Sequence, residues 1–527
     1  MAVPLTAVLR TPAAEAVAAF ALLLIAAVAL KLVLLWRKLP RSGRSSGERR
    51  KKMYAPVAGT VFHHLLNFGR LYDFSTSCAR QNPTYRILSP FHSEVYTADP
   101  ANVEYILKTN FTNYGKGDYN YCTLKDLLGD GIFAVDGEKW WHQRKMASLV
   151  FSKRIFKEYS SIVFRGNALK LVSVIAQAAR SNSRMDIQDI FMKSSMDSIF
   201  QVAFGVELNS LSGSNEEERK FTEAFDEANV LISWRYVDPL WKMKKFLNFG
   251  CEAELKNRLK VVDDFVYKIL THKVSQSSKQ LQKEDILSRL LIEREQDPKN
   301  ITYQYLRDIT LNFLVAGRDS TALTLSWFFY RLCLHASIEE KVVREVNAVT
   351  KLIHHDEPIA MDVFTASLTD ELIEKMEYLH ATITETMRLH PAVPLDPKIC
   401  FSDDTLPDGH DVRKGDMVAY MPYAMGRMRS IWGDDAEVFL PERWLKDGVG
   451  FVHESPYKFT AFQGGPRICL GKDMAYRQMK IFAVTLLHFF KFKLSDENRL
   501  VKYRTMLTLQ IENGLLLHAI PRQGHDI

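Results

Sequence analysis

The sequence contains few cysteines, and none of them is spaced for pairing or for binding zinc. Six cysteines are scattered singly over 527 residues, without a CxxC pair. Disulfide frameworks and structural zinc sites need closely grouped cysteines, so neither is indicated. Low-complexity segments and internal repeats are also missing. The pattern is typical of a globular protein in a reducing compartment. The cysteines are Cys78, Cys122, Cys251, Cys333, Cys400 and Cys469.

Excess charge is also missing from most of the chain. The formal net charge is +7, and the block RKLPRSGRSSGERRKK, residues 37–52, carries +7 by itself. The rest of the chain is therefore neutral overall, which argues against a nucleic-acid partner.

A long hydrophobic run precedes this block. Ala16 to Trp36 is apolar except for Lys31, and its 21 residues match the roughly 20 that a helix needs to cross a bilayer. A cleaved signal peptide is the alternative, but the long core ends in Leu-Leu-Trp rather than in small residues. We predict an uncleaved anchor over 1–36 and a basic, Pro/Gly-containing connector over 37–59. The positive-inside rule then places the following domain, 60–527, in the cytosol.

Periodicity in 60–527 predicts a mainly α fold with a minor β sheet. Long helices are predicted over 302–336 and 369–390, the second ended by Pro391. Strand-like runs precede residue 101 and recur at MVAYMPYAMGR, residues 417–427. The run 506–520 predicts a hairpin with Asn513-Gly514 as its turn.

The stretch FQGGPRICLG, residues 462–471, places one cysteine in a glycine-rich loop. A phosphate loop is excluded because Pro466 and Asp473 stand where it needs glycine and a hydroxyl. A buried structural cysteine remains the alternative. Three features favour a reactive thiolate: a predicted helix begins just after Cys469, glycines flank it, and Arg467 adds a cation suited to a carboxylate.

The loop matches F-x-x-G-x-R-x-C-x-G and resembles the haem-ligand signature of the cytochrome P450 haem-thiolate monooxygenases. The resemblance implies the P450 fold, with a long central helix over haem b, and Cys469 as the thiolate ligand of the iron. It also implies that one haem-binding domain spans 60–527, although length alone would suggest about three domains. The loop residues expected to bind the cofactor are Phe462, Gly465, Arg467, Cys469 and Gly471.

Other motifs of the family follow in order. Trp140 and Arg144 match W-x-x-x-R, which implies contacts with a haem propionate, shared with Arg467. Glu385 and Arg388 match E-x-x-R; the resemblance joins them to Arg443 of the segment PERW, 441–444, as a structural lock. Tryptophan stands at 444 where the family usually has phenylalanine.

The predicted central helix carries AGRDST, residues 316–321. A polar run inside an apolar helix opposes local propensity, which often marks a function, although a kink with a buried polar cluster is the alternative. The family motif A-G-x-[DE]-T-T implies that Asp319 and Ser320 guide protons during oxygen activation. Serine replaces the usual threonine, with Thr321 just after it. Ala316 is expected to leave room over the iron.

Several segments, among them FTNYGKG (111–117) and SWFFYRL (326–332), resemble the plant P450 clan that oxidises fatty acids, especially long-chain omega-hydroxylases. The resemblance implies NADPH-derived electrons from a separate cytochrome P450 reductase, because this chain has no flavin or nicotinamide fingerprint. It also implies O2 and a lipophilic substrate, and a single-pass location in the endoplasmic reticulum membrane. In-chain oxidation, another lipophile such as a terpenoid or alkane, a fatty-acid hydroperoxide isomerase or dehydratase, and a non-enzymatic haem protein remain alternatives. The expected channel residues are Phe133, Phe313, Leu314, Ala316, Val393 and Leu395.

Overall fold

Helices form most of the fold and a small mixed sheet forms one side of it. The computed structural model describes residues 52–89, 93–151, 154–213, 215–275, 285–352 and 359–522. The predicted anchor, 1–36, lies outside these residues, as does the predicted connector up to residue 51. Residues 57–60, at the border of the predicted connector and domain, form a strand paired with the sheet.

The helices, in chain order, are α1 Val61–Leu66, α2 Leu71–Gln81, α3 Pro100–Glu104, α4 Gly117–Leu128, α5 Gly137–Phe151, α6 Arg154–Arg180, α7 Ile187–Phe204, α8 Glu216–Trp234, α9 Trp241–Phe246, α10 Cys251–Ser275, α11 Ile286–Gln296, α12 Tyr303–Leu334, α13 Ala336–Thr350, α14 Met361–Ser367, α15 Asp370–Glu374, α16 Glu377–Leu389, α17 Pro422–Met425, α18 Arg429–Trp432 and α19 Lys472–Phe489.

The strands are β1 Val57–Thr60, β2 Thr84–Leu88, β3 Ser93–Thr97, β4 Tyr114–Gly115, β5 Met185–Asp186, β6 Asp396–Cys400, β7 Asp404–Thr405, β8 Asp411–Val412, β9 Met417–Tyr420, β10 Leu445–Lys446, β11 Val449–Phe451, β12 Phe490–Leu494, β13 Tyr503–Arg504, β14 Gln510–Ile511 and β15 Leu516–Pro521. The largest sheet has the order β1-β2-β3-β9-β6-β4 and mixes parallel and antiparallel pairs. The predicted mainly α fold with a minor sheet is confirmed.

The long helix predicted over 302–336 is α12, and it runs through the main core. Thr302 caps it by accepting a hydrogen bond from the Tyr305 amide at 3.1 Å. The helix packs against α7, α16 and α19. Most of its side chains are buried, and between its two ends Ala316 is the exposed residue.

The single helix predicted over 369–390 is wrong in one respect, because the chain forms two helices there. Helix α15 ends at Glu374 and α16 begins at Glu377, with Met376 buried between them in a non-helical conformation. The break exposes backbone amides at the start of α16. Glu345 on α13 accepts hydrogen bonds from the amides of Tyr378 and Leu379, both at 2.8 Å, which satisfies these groups.

The predicted C-terminal hairpin is also wrong. Asn513 and Gly514 do turn the chain, both with positive φ, but the flanking strands pair elsewhere. Strand β14 pairs with β13, and β15 lies between β12 and β5. The carboxylate of Asp186 accepts a hydrogen bond from the Leu515 amide at 2.9 Å, which directs β15 towards β5.

One helix among the described residues is long and apolar enough to cross a membrane. It covers Phe156–Arg180 within α6. This segment packs against α7 and α19, and Phe164, Ala168 and Leu171 belong to the main core. Core packing therefore explains its apolar character.

Candidate functional site

The cysteine loop ends where a helix begins. A short turn over Gly465–Arg467 precedes Cys469, whose amide donates to the Phe462 carbonyl at 2.9 Å. Gly471 is the N-cap of α19, and its backbone amide lies within hydrogen-bonding reach of the Cys469 sulfur. Burial raises the pKa of the Cys469 thiol, while the Gly471 amide and the charge of Arg144 act to lower it. The thiol is nevertheless exposed, so it borders an open space surrounded by protein.

Close contacts fix the shape of this loop. Gly465 has φ +63, and a Cβ at this position would lie 1.9 Å from the carbonyl oxygen of Leu107. Only glycine permits that approach. The Phe462 ring lies 5.3 Å from that of Tyr476 on α19. Contacts with Leu107 on one side and with Tyr476 on the other therefore fix the loop without a ligand.

Ala316 and Ser320 lie one turn apart on α12. Ala316 is exposed although the helix around it is mostly buried, so this face borders an internal opening. The Ser320 hydroxyl donates to the Ala316 carbonyl at 2.7 Å. Thr321 is buried instead. Of the two neighbouring alcohols, Ser320 is the one that lies on the face of Ala316.

Asp319 is a buried acid next to that face. Burial raises its pKa to about 6, although the neighbouring Arg318 acts to lower it. Arg318 is buried as well and pairs with Asp226 on α8. Sequence reasoning missed Asp226, because nothing in the sequence of α8 distinguishes it from other surface acids.

Two arginines and a tryptophan lie near the thiol. The Arg467 guanidinium lies 4.6 Å from the centre of the buried Trp140 ring and donates to Asp136 Oδ1 at 2.6 Å. Its Nε is buried without a partner. Arg144, one turn after Trp140, is close enough to Cys469 to influence its pKa, and no described acidic side chain pairs with it.

A buried charged cluster next to the loop was not predicted. Asp396 accepts hydrogen bonds from Lys116 at 3.1 Å and from Lys398 at 3.0 Å. Gln463 of the cysteine loop also donates to it at 2.8 Å. Burial lowers the pKa of Lys398 to about 7, against the attraction of Asp396. The visible signal was the pair of charges in LDPKIC, residues 395–400, inside an otherwise apolar strand run.

The predicted lock residues come together in the core. Arg388 donates to both carboxylate oxygens of the fully buried Glu385, from Nε and Nη2, each at 2.7 Å. Arg443 is farther away, with its Nε 3.6 Å from Glu385. The closer contact comes from Trp444, whose indole N–H donates to Glu385 at 2.9 Å. Phenylalanine, the usual residue of the family at this position, has no such donor.

The loop between α4 and α5 is fastened to the central helix. Asp308 accepts a hydrogen bond from the Asp130 amide at 2.9 Å, and Asn312 accepts one from the Phe133 amide at 3.2 Å. Gly131 lies so close to Asn312 that a Cβ there would be 1.8 Å from its side-chain nitrogen. These contacts place Phe133 beside α12.

The predicted channel residues differ in position. Phe133 and Val393 are partly exposed, whereas Leu314 is fully buried in the main core, and Phe313 packs against that core. Leu395 lines a cavity of about 380 Å³. The cavity also borders α1, the C-terminal end of α8 and residues 503–507. Whether these residues contact substrate stays a prediction.

The residues present fit a haem with two propionates. The thiol of Cys469 could supply the iron ligand, and the small side chain of Ala316 leaves the exposed face of α12 unobstructed. Arg144 lacks a described carboxylate partner, and Arg467 retains an unsatisfied buried Nε. Two partly buried cations of this kind would neutralise two carboxylates.

Comparison with known proteins also indicates a haem-binding site. Residues 55–518 match the family model described as "Cytochrome P450". The chain is 50% identical over 492 residues to cytochrome P450 704C1 of Pinus taeda, which covers 91% of this chain and 94% of that protein. It is 44% identical over 489 residues to cytochrome P450 704B1 of Arabidopsis thaliana, covering 87% and 93%. It is also 38% identical over 469 residues to cytochrome P450 86B1 of the same plant, covering 87% and 83%.

Proposed function

The chain belongs to the cytochrome P450 family of haem-thiolate monooxygenases, and from that premise we propose that it hydroxylates the terminal carbon of long-chain fatty acids. Electrons would come from NADPH through a separate reductase. The predicted anchor, 1–36, would hold the enzyme in the endoplasmic reticulum membrane as a single-pass protein with its catalytic domain in the cytosol. The enzyme and its reductase would then lie at the same membrane in which a lipophilic substrate dissolves.

The observation that carries the proposal is the composition of the 380 Å³ cavity. Its volume lies within the range of small-molecule sites. Most of its wall is apolar or aromatic, with Val230, Trp234 and Leu395 among the contributing residues. Among the described lining residues, Arg504 is the only lysine or arginine, and no described acid pairs with it. An apolar space with one free cation suits a hydrocarbon chain that ends in a carboxylate.

Other charges in the wall restrict where that carboxylate can lie. Glu94 and Glu512 also line the cavity, and both would repel an anionic group. Burial lowers the pKa of the lining residue His64, so its imidazole is neutral at physiological pH. An acid head group would therefore lie beside Arg504.

Side chains of this protein would then deliver the proton that oxygen activation requires. When bound, haem supplies the one-electron and oxygen chemistry that side chains lack. Asp319 can carry a proton near neutral pH, because its pKa is about 6. Ser320, on the open face of α12, can pass that proton on through its hydroxyl. Trp140, Arg144 and Arg467 would orient the cofactor through its propionates.

Product analysis tests the proposed function. Microsomes that contain the enzyme and a reductase are incubated with C12–C24 fatty acids under ¹⁸O2, and the products are identified by mass spectrometry. We expect NADPH-dependent incorporation of one labelled atom at the terminal carbon. Insertion in mid-chain, or no oxidation of any acid, would contradict the proposal. Turnover without NADPH or O2 would indicate a hydroperoxide isomerase or dehydratase instead.

Replacement of Arg504 by glutamine should weaken the binding of acids selectively. An exposed ion pair contributes up to ~1 kcal/mol, so the Kd for hexadecanoic acid should rise about fivefold. The Kd for its methyl ester should not change, because the ester carries no charge. Spectral titration of both ligands measures this difference.

Two variants control that experiment. Arg504→Lys keeps the cation and should retain most of the preference for the acid. Lys502→Gln removes a neighbouring exposed charge that does not line the cavity and should have no effect. Equal weakening of acid and ester in Arg504→Gln would show that the residue shapes the cavity rather than binds the carboxylate.

Replacement of Ser320 by alanine should uncouple oxygen reduction from product formation. Loss of a positioned proton donor commonly costs a hundredfold or more in rate, so a fall of at least about tenfold in product per NADPH is expected. Ser320→Thr, which restores the usual family residue, should equal or exceed the parent. Ser326→Ala is the matched control, since Ser326 makes the same bond to the carbonyl four residues earlier, at 2.7 Å, but is fully buried. An unchanged product ratio in Ser320→Ala would rule out the assigned role.

A further inference from the structure

The cysteine loop contains one residue other than glycine in a left-handed conformation. Gln463 has φ +58 and is followed by Gly464 and Gly465. The other non-glycine residues with positive φ in the described part of the chain are asparagines and one aspartate, which tolerate this conformation better. Glycine would occupy position 463 without steric cost, whereas a longer side chain persists in this region where its surroundings compensate for the strain. Compensation for Gln463 must therefore come from its own contacts.

The side chain of Gln463 reaches from the loop to the largest sheet. Its Nε2 donates to Asp396 Oδ2 at 2.8 Å, and its Oε1 has no hydrogen-bond partner among the described residues. Asp396 is the first residue of β6 and is 4% exposed. Among the hydrogen bonds of the described residues, this bond is the one that joins the loop, 462–471, to that sheet.

Asp396 is held in place independently of the loop. Its carboxylate accepts hydrogen bonds from Lys398 Nζ at 3.0 Å and from Lys116 Nζ at 3.1 Å. The hydroxyl of Tyr420, its cross-strand neighbour on β9, donates to it at 2.8 Å. Although burial acts to raise it, the two ammonium groups hold the pKa of Asp396 far below its ordinary value. Gln463 therefore bonds to a fixed, ionised acceptor, and such a bond is stronger than one between neutral groups.

We propose that Asp396 is a positioning residue which, through its hydrogen bond with Gln463, holds the cysteine loop in the conformation in which Cys469 binds the haem iron. The connection to the thiol is short, because Gln463 directly follows Phe462, whose carbonyl accepts the hydrogen bond of the Cys469 amide at 2.9 Å. Release of Gln463 would free this carbonyl to move, and the cysteine with it. The inference rests on Cys469 as the ligand and does not depend on which substrate is oxidised.

The reduced carbon monoxide complex of the haem-loaded, full-length protein tests this role without substrate. Its red-shifted Soret band is followed over time in urea below the unfolding midpoint, where the band is lost as the thiolate leaves the iron. Gln463→Ala should shorten the half-life of the band about tenfold, because a hydrogen bond to a charged group is worth roughly tenfold or more in an equilibrium constant. Circular dichroism should stay parental, since Asp396 keeps its other three donors.

Further substitutions separate the hydrogen bond from the backbone strain. Gln463→Gly removes the strain together with the amide, and it should still lose the band faster than the parent. Gln463→Glu brings two carboxylates together and should lose the band fastest. Addition of Asp396→Asn to Gln463→Glu restores a hydrogen bond of reversed polarity and leaves the total charge unchanged, so most of the parental half-life should return. If this double variant does not fold, the alanine and glycine variants decide the question.

Gln304→Ala is the matched control. Gln304 Nε2 donates to Asp308 Oδ1 on α12, also at 2.8 Å, so this variant loses the same kind of bond away from the loop and should keep the parental half-life. A parental half-life in either Gln463→Ala or Gln463→Gly would overturn the proposal, as would a band that is lost only together with the circular dichroism signal. These results would leave the proposed function standing. If no fatty acid is oxidised while the Gln463 variants behave as expected, the proposed function fails instead.

Discussion

Replacement of Cys469 by alanine is expected to abolish the strongly red-shifted Soret band that the reduced parent shows with carbon monoxide. That band reports a thiolate bound to the iron, and the sulfur at the start of α19 is the proposed ligand. No described histidine, cysteine or acidic cluster is arranged to hold a metal in its place. NADPH-dependent hydroxylation should fall below detection in the same preparation.

A second cysteine variant controls for general damage to the fold. Cys122 on α4 lies outside the loop and is partly exposed, so Cys122→Ala should keep the band and the activity of the parent. Circular dichroism of both variants should retain the helical signal, since the loop is held by the Gly465 contact and the Phe462 ring without the thiol. A red-shifted band that survives in Cys469→Ala would refute the thiolate assignment.

Replacement of Glu385 by glutamine should produce the largest loss of stability among substitutions away from the thiol. The change leaves the guanidinium of Arg388, completely buried, without its compensating charge. Breaking a buried ion pair commonly costs about 3–5 kcal/mol, against a total stability of about 5–15 kcal/mol for a typical domain. We expect little haem-loaded protein at 37 °C and a midpoint of urea unfolding well below that of the parent.

Substitution of Trp444 should cause a smaller loss of stability than Glu385→Gln. Trp444→Phe keeps an aromatic ring but removes the indole donor to Glu385, so it should cost about 1–3 kcal/mol, although it introduces the residue usual in the family. Glu442→Gln in the same turn removes a partly exposed ion pair with Lys341. It should lower the free energy of unfolding by under about 1 kcal/mol. A Trp444→Phe variant as stable as the parent would show that the indole N–H contributes no net stability, and that Arg388 and the Leu440 amide satisfy Glu385 without it.

The sequence predicted most of what is local and less of what depends on distant partners. The helix at α12 followed from a continuous apolar period, and the cysteine loop from a ten-residue pattern with little freedom. The break between α15 and α16 was missed because it depends on Glu345, more than thirty residues away. The C-terminal hairpin was wrong for a similar reason, since Asp186 directs the turn from far upstream.

The same limit applies to the candidate site. Motifs placed Glu385 and Arg388 correctly beside each other, because residues three apart share a face of one helix. They gave no indication that Trp444 would donate to that carboxylate, nor that Asp226 would share Arg318. Such contacts are decided by the packing of separate helices, and periodicity within one helix contains no information about them.

The position of the sulfur in the chain has a consequence for biosynthesis. The aromatic and basic side chains of α5, the open face of α12 and the lock on α16 all precede Cys469 in the sequence. During translation the ribosome therefore synthesises most of the residues proposed to surround the haem before it adds the cysteine proposed to bind the iron. If Cys469 is the ligand, stable haem binding is expected only late in synthesis, and a chain truncated before residue 469 should not hold the iron.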